Sequence, residues 1–354
     1  MWVWGVVVAL VGVGAVTMGT VVRDRQTGQP GGGSGAVVPG GGTPVRIPGA
    51  PDPIEPAVRD SEVQCERVEF PAELPVSEAS GAAYLAAGSG SADTSDAGTV
   101  LVVGDSGNGG RYIEIDGSTG QLVRRGRFAM DRRASDDLEG LAVRGQVVYG
   151  ITSSGWVRHW KRGEKDYELI EPAYPIAPEG SPQVCGSAFA SNCGPNYEGL
   201  CLREPGGESE AGSEAGSDAD RCIGFAVAKA HGTLYCVVSE GGKLRVDPAH
   251  ALRILPPGVA TGCDFDAEGV LWLGTNLFGG NRILRLRDWD DLERVTTETV
   301  DVRGSGFAEA LAIGRDGAVY SFSDMASRTS GASKFICRPR STSPGGPGAD
   351  PDAG

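Results

Sequence analysis

The sequence predicts an all-β protein folded as a single β-propeller of five blades, with six blades as the alternative. Between residues 60 and 340, short runs rich in β-forming residues are separated by Gly, Asp and Ser turns, and helical periodicity is scarce. These runs recur in similar units of about 45 to 65 residues, each with three strand-like runs and usually a fourth. Such repeats are typical of propellers. The irregular region 164–195 is where strands of a sixth blade could lie.

The N-terminal part of the chain indicates export. Residues 1–22 contain no charged side chain and are long enough to span a bilayer. We expect a signal peptide or membrane anchor at 1–22 and a Gly/Pro-rich linker at 23–58. The propeller then covers 59–340, and a disordered tail covers 341–354. We expect a periplasmic or extracellular monomer that contacts the membrane only through its N-terminal segment.

Charge and composition exclude one class of partner. The 354-residue chain has a formal net charge of −14. A nucleic-acid-binding protein needs a concentrated basic face, and the sequence shows no Lys/Arg cluster of that kind, so no nucleic-acid partner is expected. The acidic stretch 205–220 and the stretch 86–98 are expected to be solvated loops, because their composition does not allow packing.

The five units begin with similar elements: SEASGAAY, DLEGLAVRG, NYEGLCLRE, ATGCDFDAEG and FAEALAIGRDG. The last unit lacks an outer strand, while VQCERVEF at 63–70 is a strand without a unit. Pairing of this strand with KFIC at 334–337 would close the ring of blades. The two ends of the domain would then share one blade.

The eight cysteines predict disulfides in an oxidising compartment. Their number is even, and none forms the C-x-x-C pair of zinc sites. Ring closure would place Cys65 beside Cys337, and a short loop would join Cys185 to Cys193. Proximity in sequence and elimination assign the remaining pairs as Cys201–Cys222 and Cys236–Cys263. Metal-ligand cysteines are the alternative.

The stretch VVGDSGNGG at 102–110 looks like the nucleophile segment of a serine protease, but its place in the repeat predicts a strand and a turn. Gly, Asp, Asn and Ser are the residues that turns require. A nucleophilic Ser106 also needs a base, and the only histidines, His159, His231 and His250, all follow it in the chain. We therefore reject the protease interpretation.

Alignment of the units predicts an acidic funnel at one mouth of the central channel. The starts of the innermost strands would bring together Glu78, Glu139, Glu198 and Glu309, with Thr261 in the fifth position. The turns after the second strands would add Asp105, Thr152, Lys229, Asn276 and Asp324. Carboxylates this close must be protonated, bound to a cation or bonded to backbone donors.

The elements DLEGLAV and NYEGLCL resemble the start of each blade in the phytase-like and SdiA-regulated propeller families, and VVGDSGNGGRYIEID resembles an NHL-type repeat. The resemblance covers residues 60–340. It implies an exported propeller, often with bound calcium and sometimes with esterase-like or phytase-like hydrolase activity. Thr261 departs from the glutamate pattern, and Lys229 is the one basic residue at the mouth, which disfavours phytase activity itself.

Three roles for the funnel remain open. The glutamates could cap backbone N–H groups of adjoining blades. Glu78, Glu139, Glu198 and Glu309 could bind Ca²⁺, for which clustered oxygen ligands are suited. Glu139 or Glu198 could act as general acid or base, with calcium or Lys229 stabilising an anion.

From these roles we predict a tethered, exported propeller that binds a ligand through the acidic funnel. The ligand could be a small molecule, a glycan or a protein, and the funnel could carry calcium. The alternative is a metal-assisted esterase or phosphoesterase of the phytase-like type.

Overall fold

Five small antiparallel sheets are arranged around a common axis in the computed structural model of the chain, so the predicted five-bladed propeller is confirmed. The structure describes residues 53–86, 98–204, 222–256, 258–276, 281–291, 294–302, 308–323 and 328–340. The innermost strands of the five blades each contact those of both neighbouring blades and form a closed ring. The predicted N-terminal segment, the tail and the acidic stretch 205–220 lie outside these ranges.

The first three blades each contain four consecutive strands. Blade 1 contains β4 (Ala79–Leu85), β5 (Thr99–Gly104), β6 (Arg111–Asp116) and β7 (Leu122–Arg127). Blade 2 contains β8 (Leu138–Arg144), β9 (Val147–Thr152), β10 (Trp156–Arg162) and β11 (Tyr167–Pro175). Blade 3 contains β12 (Tyr197–Leu202), β13 (Gly224–Ala228), β14 (Thr233–Glu240) and β15 (Lys243–Arg253).

The last two blades incorporate strands from the beginning of the domain. Blade 4 contains β16 (Ala260–Phe265), β17 (Leu271–Thr275), β18 (Asn281–Arg287) and β19 (Thr296–Val302), with β1 (Ala57–Arg59) parallel to β19 at its edge. Blade 5 contains β20 (Ala308–Ile313), β21 (Ala318–Ser323), β22 (Ser330–Pro339) and β2 (Val63–Val68), with β3 (Glu73–Leu74) also pairing with β22. The predicted closure is confirmed, because β2 pairs with β22 from Val68 opposite Lys334 to Cys65 opposite Cys337.

The segment before β2 runs along the outer edges of two further blades. Ile54 forms a bridge with Leu252 in the outer strand of blade 3, and β1 pairs with β19 of blade 4. The sequence assigned residues up to 58 to the linker, but the described part of that segment is hydrogen-bonded to the propeller from Ile54 onward. This strap therefore ties three blades together before the chain closes the ring.

The hydrophobic core consists of five clusters, each between two neighbouring blades. Strands near the axis are buried on both faces, as in β5, where every residue is buried, whereas the outer strand β7 is mostly exposed. Between blades 1 and 2, the rings of Phe128 and Trp160 stack with centroids 4.3 Å apart. Stacking of this kind adds about 1 kcal/mol to the burial of each ring.

In blades 1 to 4 a glycine follows the motif position at the start of the inner strand, because neighbouring inner strands pass close to each other there, whereas Ala310 follows Glu309 in blade 5. A Cβ atom on Gly140 would lie 2.4 Å from the backbone nitrogen of Leu200 in the next blade. A Cβ on Gly262 would lie 2.7 Å from the nitrogen of Leu311. The E-G pair of the motif thus combines a residue that faces the mouth with one that lets the blades approach.

Four disulfides join all eight cysteines, and two of them differ from the predicted pairing. Cys65–Cys337 and Cys185–Cys193 form as predicted. The other two bonds are Cys201–Cys263 and Cys222–Cys236, so the predicted Cys201–Cys222 and Cys236–Cys263 pairs are wrong.

The register of blade 3 explains this difference. Phe225 lies between Cys201 and Cys236 in the same cross-strand row, and Cys201 packs instead against Cys263 on the inner strand of the next blade. Cys222 precedes β13 and lies near β14, because the Ile223 nitrogen donates to the oxygen of Val237.

The described residues form strands, turns and irregular segments, and they include no helix of the length and hydropathy needed to cross a membrane.

Candidate functional site

The same position in every innermost strand interrupts the regular pairing. The register of each strand with its neighbour shifts at this position, which gives a β-bulge or a similar irregularity in all five blades. An irregularity of this kind changes the direction in which a side chain points. Here it does so at the start of the innermost strand. The five residues at the shifts are Ser80, Glu139, Glu198, Thr261 and Glu309.

A second set of residues follows the second strand of each blade. In four blades the last residue of the second strand pairs with the first residue of the inner strand, so the residues that follow these partners are equivalent to one another. The paired residues of the second strands are Gly104, Thr152, Ala228 and Thr275. In three blades the backbone nitrogen of that residue donates to the segment before the inner strand: Asp105 to the oxygen of Glu78, Lys229 to Asn196 and Asn276 to Val259. The equivalent residue of blade 2 is Ser153.

Three carboxylates from blades 1 and 2 meet at the mouth and form what we term the acidic half. One ligand oxygen each from Asp105, Asp137 and Glu139 lies within 4.8 Å of the others. Asp137 and Glu139 are buried, whereas Asp105 is partly exposed. The Ser153 hydroxyl donates to Oδ2 of Asp137, and the Ser106 nitrogen donates to Oδ1 of Asp105. No Lys, Arg or His of the described residues forms an ion pair with these three carboxylates.

The other part of the mouth, the lysine half, contains its own cation. Nζ of Lys229 lies 3.1 Å from Oε2 of Glu198 and 3.7 Å from Oε2 of Glu309. Nδ2 of Asn196 donates to Oε1 of Glu198, and Nδ2 of Asn276 donates to Oε1 of Glu309, each at 2.9 Å. Lys229 therefore joins blades 3 and 5 across the mouth.

Burial and mutual repulsion change the protonation of the acidic half. Burial raises the pKa of Asp137 to about 6, and the nearby Asp105 adds to the rise, while the Ser153 hydroxyl opposes it. Burial, with repulsion from Glu198, Asp105 and Asp137, holds the pKa of Glu139 well above its usual range. Glu139 therefore favours its protonated form more strongly than Asp137 does.

In the lysine half the balance differs. Burial raises the pKa of Glu198 to about 7, although Lys229 opposes that rise. Burial also disfavours the charged form of Lys229, but Glu198 and Glu309 outweigh this effect and raise the pKa of the lysine. Lys229 therefore stays charged near neutral pH, and its charge favours the ionised form of Glu198 without offsetting the effect of burial.

The structure brings most of the predicted funnel residues together, with corrections in two blades. Glu139, Glu198, Thr261 and Glu309 occupy equivalent positions, but Ser80 takes that position in blade 1 because Glu78 lies two residues earlier, with φ = 51°. In blade 2, Thr152 pairs with Leu138, and Ser153 takes the place that the sequence assigned to Thr152. Asp324 lies outside the described residues.

The sequence reading missed Asp137, which completes the acidic half. The signal was available, because Asp137 precedes Glu139 by two residues, the same spacing as Asn196 before Glu198 and Glu78 before Ser80. The hydroxyl of Thr261 is buried and has no hydrogen-bond partner among the described residues. A Cβ on Gly274 would lie 2.7 Å from that hydroxyl, so it points toward the adjacent strand of its own blade.

Ser106 lies in the turn after β5, as predicted, and has no histidine beside it. Its backbone nitrogen bonds the Asp105 carboxylate, and the polar partners of the three histidines are Glu171, Tyr235 and Asp247.

The central channel is too small to accept a ligand. The inner strands fill it, with Ser80, Glu139, Leu200 and Leu311 among the lining residues, and they leave no room even for a molecule of water. Any ligand of the mouth would therefore lie outside the channel, beside the carboxylates.

Comparison with known proteins adds little beyond the fold. No family model matches the chain, and no curated protein matches it significantly. Similar solved structures include the glutaminyl cyclase of Myxococcus xanthus, with 12% identity over 81% of this chain and 100% of that chain and a TM-score of 0.45.

The PQQ-bound aldose sugar dehydrogenase of Streptomyces coelicolor has 13% identity over 80% of this chain and 100% of that chain, with a TM-score of 0.42. A putative oxidoreductase (glucose dehydrogenase) of Thermus thermophilus has 14% identity over 77% of this chain and 100% of that chain, with the same TM-score of 0.42. At these values the likenesses carry no argument about function.

Proposed function

We propose that the chain is an exported propeller that binds a ligand across the mouth of its central channel, with Ca²⁺ bound by the acidic half. The observation that carries this proposal is the approach of Asp105, Asp137 and Glu139 to one another, with no ion pair to a cationic side chain of the described residues. An exported location is supported by the four disulfides, since such bonds persist in oxidising compartments.

The spacing of the three carboxylates suits calcium. Ca²⁺ binds oxygen ligands at about 2.3 to 2.6 Å, so two ligands of one ion lie at most about 5 Å apart. The three carboxylates meet this limit, with oxygens within 4.8 Å of one another. Partial exposure of Asp105 leaves room for water or for a ligand oxygen to complete the coordination. Bound calcium would also remove the repulsion that raises the pKa of Asp137 and of Glu139.

The proposal is tested by the thermal stability of the full-length protein with calcium and with chelator. A ligand that binds only the folded state at about 100 times its dissociation constant stabilises it by about 2.7 kcal/mol. We expect wild type to show a clear rise in melting temperature with calcium, and Asp137→Asn to show none. Asp301→Asn is the control, because Asp301 is exposed on the outer strand of blade 4.

Two results would contradict calcium binding at this site. One is a wild-type melting temperature that does not respond to calcium at pH 7.5, where the carboxyls are most readily ionised. The other is an equal calcium response in Asp137→Asn and in wild type, which would place the ion elsewhere.

A second candidate, metal-assisted hydrolysis of esters or phosphoesters, is favoured by one observation. Glu198 has a pKa of about 7 and lies 3.1 Å from Lys229, so it can give or accept a proton near neutral pH beside a cation. Glu139 is the other candidate acid. The resemblance of the blade motif to phytase-like and SdiA-regulated propellers supports membership of that group and, with it, this candidate.

The hydrolase candidate is tested with a panel of aryl esters and phosphoesters, each with calcium and with chelator. Turnover that is lost in Glu198→Gln and in Glu139→Gln, while Asp301→Asn keeps it, would support catalysis. Absence of turnover across the panel, together with a calcium-dependent melting temperature, would leave the binding function alone.

A further inference from the structure

A loop closed by a disulfide lies beside the acidic half. The connection from β11 to β12 contains the Cys185–Cys193 bond, and we term residues 185–193 the rim loop. The Cys185 nitrogen donates to the oxygen of Ser154 at 3.0 Å, and the Asn192 nitrogen donates to the Ser153 hydroxyl at 3.2 Å. That same hydroxyl donates to Asp137. The rim loop is thus connected to the acidic half through one serine.

The rim loop presents an aromatic side chain to solvent. Phe189 is 63% exposed, and it is the only aromatic residue among the large hydrophobic side chains that are exposed in the described ranges. Its backbone nitrogen donates to the Ser187 hydroxyl, and the Ala190 nitrogen donates to the oxygen of Ser187, so Phe189 lies in a tight turn. Exposure of a phenyl ring costs free energy that a partner would recover.

The rim loop is bound on its other side to a segment that carries two exposed arginines. The Ser135 nitrogen donates to the oxygen of Ala188 at 3.0 Å. The guanidinium of the buried Arg158 fixes this segment, donating to the oxygens of Ala134 and Ser135 at 2.6 and 2.7 Å.

Arg132 and Arg133 lie just before this fixed segment. Both are exposed, and neither forms an ion pair with another described residue. Phe189 and the two arginines therefore lie on adjoining segments of backbone, which the hydrogen bond from Ser135 to Ala188 joins.

We propose that the ligand is an acidic glycan, with one sugar ring stacked on Phe189 and a sugar carboxylate bound by Arg132 and Arg133. This inference deepens the proposed function and rests on it, because it names the ligand class of the same mouth. The C–H face of a pyranose fits the negative face of a phenyl ring, and guanidinium groups bind carboxylates with paired hydrogen bonds. A chain of such sugars would continue toward the acidic half, where calcium can bridge carboxylates of the protein and of the glycan.

The composition of the rim loop favours a sugar over a protein surface. Protein interfaces bury about 800 Å² per partner and surround an aromatic anchor with further contact residues. Phe189 instead stands among small residues, Gly186, Ser187, Ala188 and Ala190, so the rim loop offers one ring and no further large contact residues. Because the disulfide and the turn hold the loop in place, little conformational entropy is lost on binding.

The test is titration calorimetry of the full-length protein with an oligogalacturonate, a neutral cello-oligosaccharide and hexaglutamate, each with calcium and with chelator. We expect the oligogalacturonate to bind to wild type. The Phe189→Ala variant and the double variant Arg132→Gln/Arg133→Gln should each lower its affinity roughly tenfold. Matched controls are Ile170→Ala, an exposed residue of the outer strand of blade 2, and Arg125→Gln, an exposed arginine of the outer strand of blade 1. Both should bind as wild type does, and all variants should keep the wild-type melting temperature.

The outcomes separate this inference from the proposed function. A calcium-dependent melting temperature without glycan binding would overturn the glycan inference and leave calcium binding intact. Glycan binding that depends on Phe189 but not on calcium would support the glycan inference and contradict the calcium bridge between protein and glycan, while the melting temperature decides the calcium proposal itself. Hexaglutamate binding with the same dependence on Phe189 and both arginines would overturn the glycan inference in favour of an acidic peptide.

Discussion

The two halves of the mouth differ in whether a cationic side chain pairs with their carboxylates. In the lysine half, Glu198 and Glu309 are paired with Lys229, so the protein supplies the positive charge itself. In the acidic half, Asp105, Asp137 and Glu139 lie close together without a paired cationic side chain among the described residues. A purely structural ring of carboxylates has no reason to be neutralised on one side alone. Lys229 joins blades 3 and 5 in the lysine half, and the contrast with the acidic half supports the proposal that the acidic half binds an external cation.

The largest expected effect is on the pH dependence of stability. Asp137 and Glu198 have folded-state pKa values of about 6 and about 7, above those of unfolded carboxyl groups. Groups raised in this way stabilise the fold at low pH, and their contribution is lost as pH rises through the folded-state pKa. Without calcium, we expect these two groups to lower the free energy of unfolding by about 5 kcal/mol between pH 4 and pH 8.

Calcium should remove only the part of this pH dependence that comes from the acidic half. Saturating calcium should remove the part due to Asp137, because a bound ion stabilises the ionised carboxylates, and should leave the part due to Glu198. Denaturant unfolding from pH 4 to pH 8, with calcium or chelator, measures both parts, and Glu198→Gln should remove the second. If calcium leaves the pH dependence of the unfolding free energy unchanged, the proposed difference between the two halves is contradicted.

The next effect concerns the internal cation. Lys229→Met should lower the free energy of unfolding by about 2 kcal/mol, because it leaves Glu198 without its charged partner in a mostly buried position. Added calcium should restore part of this loss, since the variant converts the lysine half into a second acidic cluster. The measurement is denaturant unfolding with calcium and with chelator.

Lys243→Met is the control for Lys229→Met. Lys243 pairs with Glu171 at 3.0 Å, but its side chain is 37% exposed, so its loss should cost under about 1 kcal/mol. Equal losses in the two variants would show that Lys229 does not neutralise the mouth.

The smallest expected effect concerns the hydrogen bond from Ser153 to Asp137 in the acidic half. Ser153→Ala removes the hydroxyl that bonds Asp137, which should weaken calcium binding about tenfold and lower stability by about 1 kcal/mol. Ser154→Ala removes a hydroxyl that bonds Thr152 at 2.8 Å instead. It should lower stability to a similar degree without changing the calcium affinity. Calcium affinities that fall equally in both variants would argue against a specific role for Ser153.

Repetition explains why the fold could be predicted from the sequence. Each blade repeats one arrangement of apolar strands and polar turns, and the pairing of β2 with β22 followed from counting the strands that lacked a partner. The disulfides between strands were harder, because proximity in sequence does not tell which face of a sheet a cysteine occupies. Cys201 faces the next blade and Cys222 lies beside β14, although only a hairpin connection separates them in the chain.

The position of the candidate site could be predicted from the repeated blade motif. Residues in the connections between strands could not, because their place in the fold does not follow from the repeat. The glutamates of the E-G motif mark the mouth directly, because the glycine that follows each one is required by close packing. Blade 1 breaks the pattern, since Ser80 occupies the position of the register shift and Glu78 lies two residues earlier, where blade 3 has Asn196. Asp137 and Ser153 lie in connections that vary in length, so only the three-dimensional register shows that they meet.

The most direct test of the difference between the halves is the calcium stoichiometry of the full-length protein by titration calorimetry at pH 7.5. We predict one calcium ion per chain for wild type, none for Asp137→Asn/Glu139→Gln, and one for Glu309→Gln. The first two values would assign the ion to the acidic half, and the third would show that the lysine half is not needed for it. Retention of one ion in the Asp137→Asn/Glu139→Gln variant, or no binding to wild type, would contradict the account.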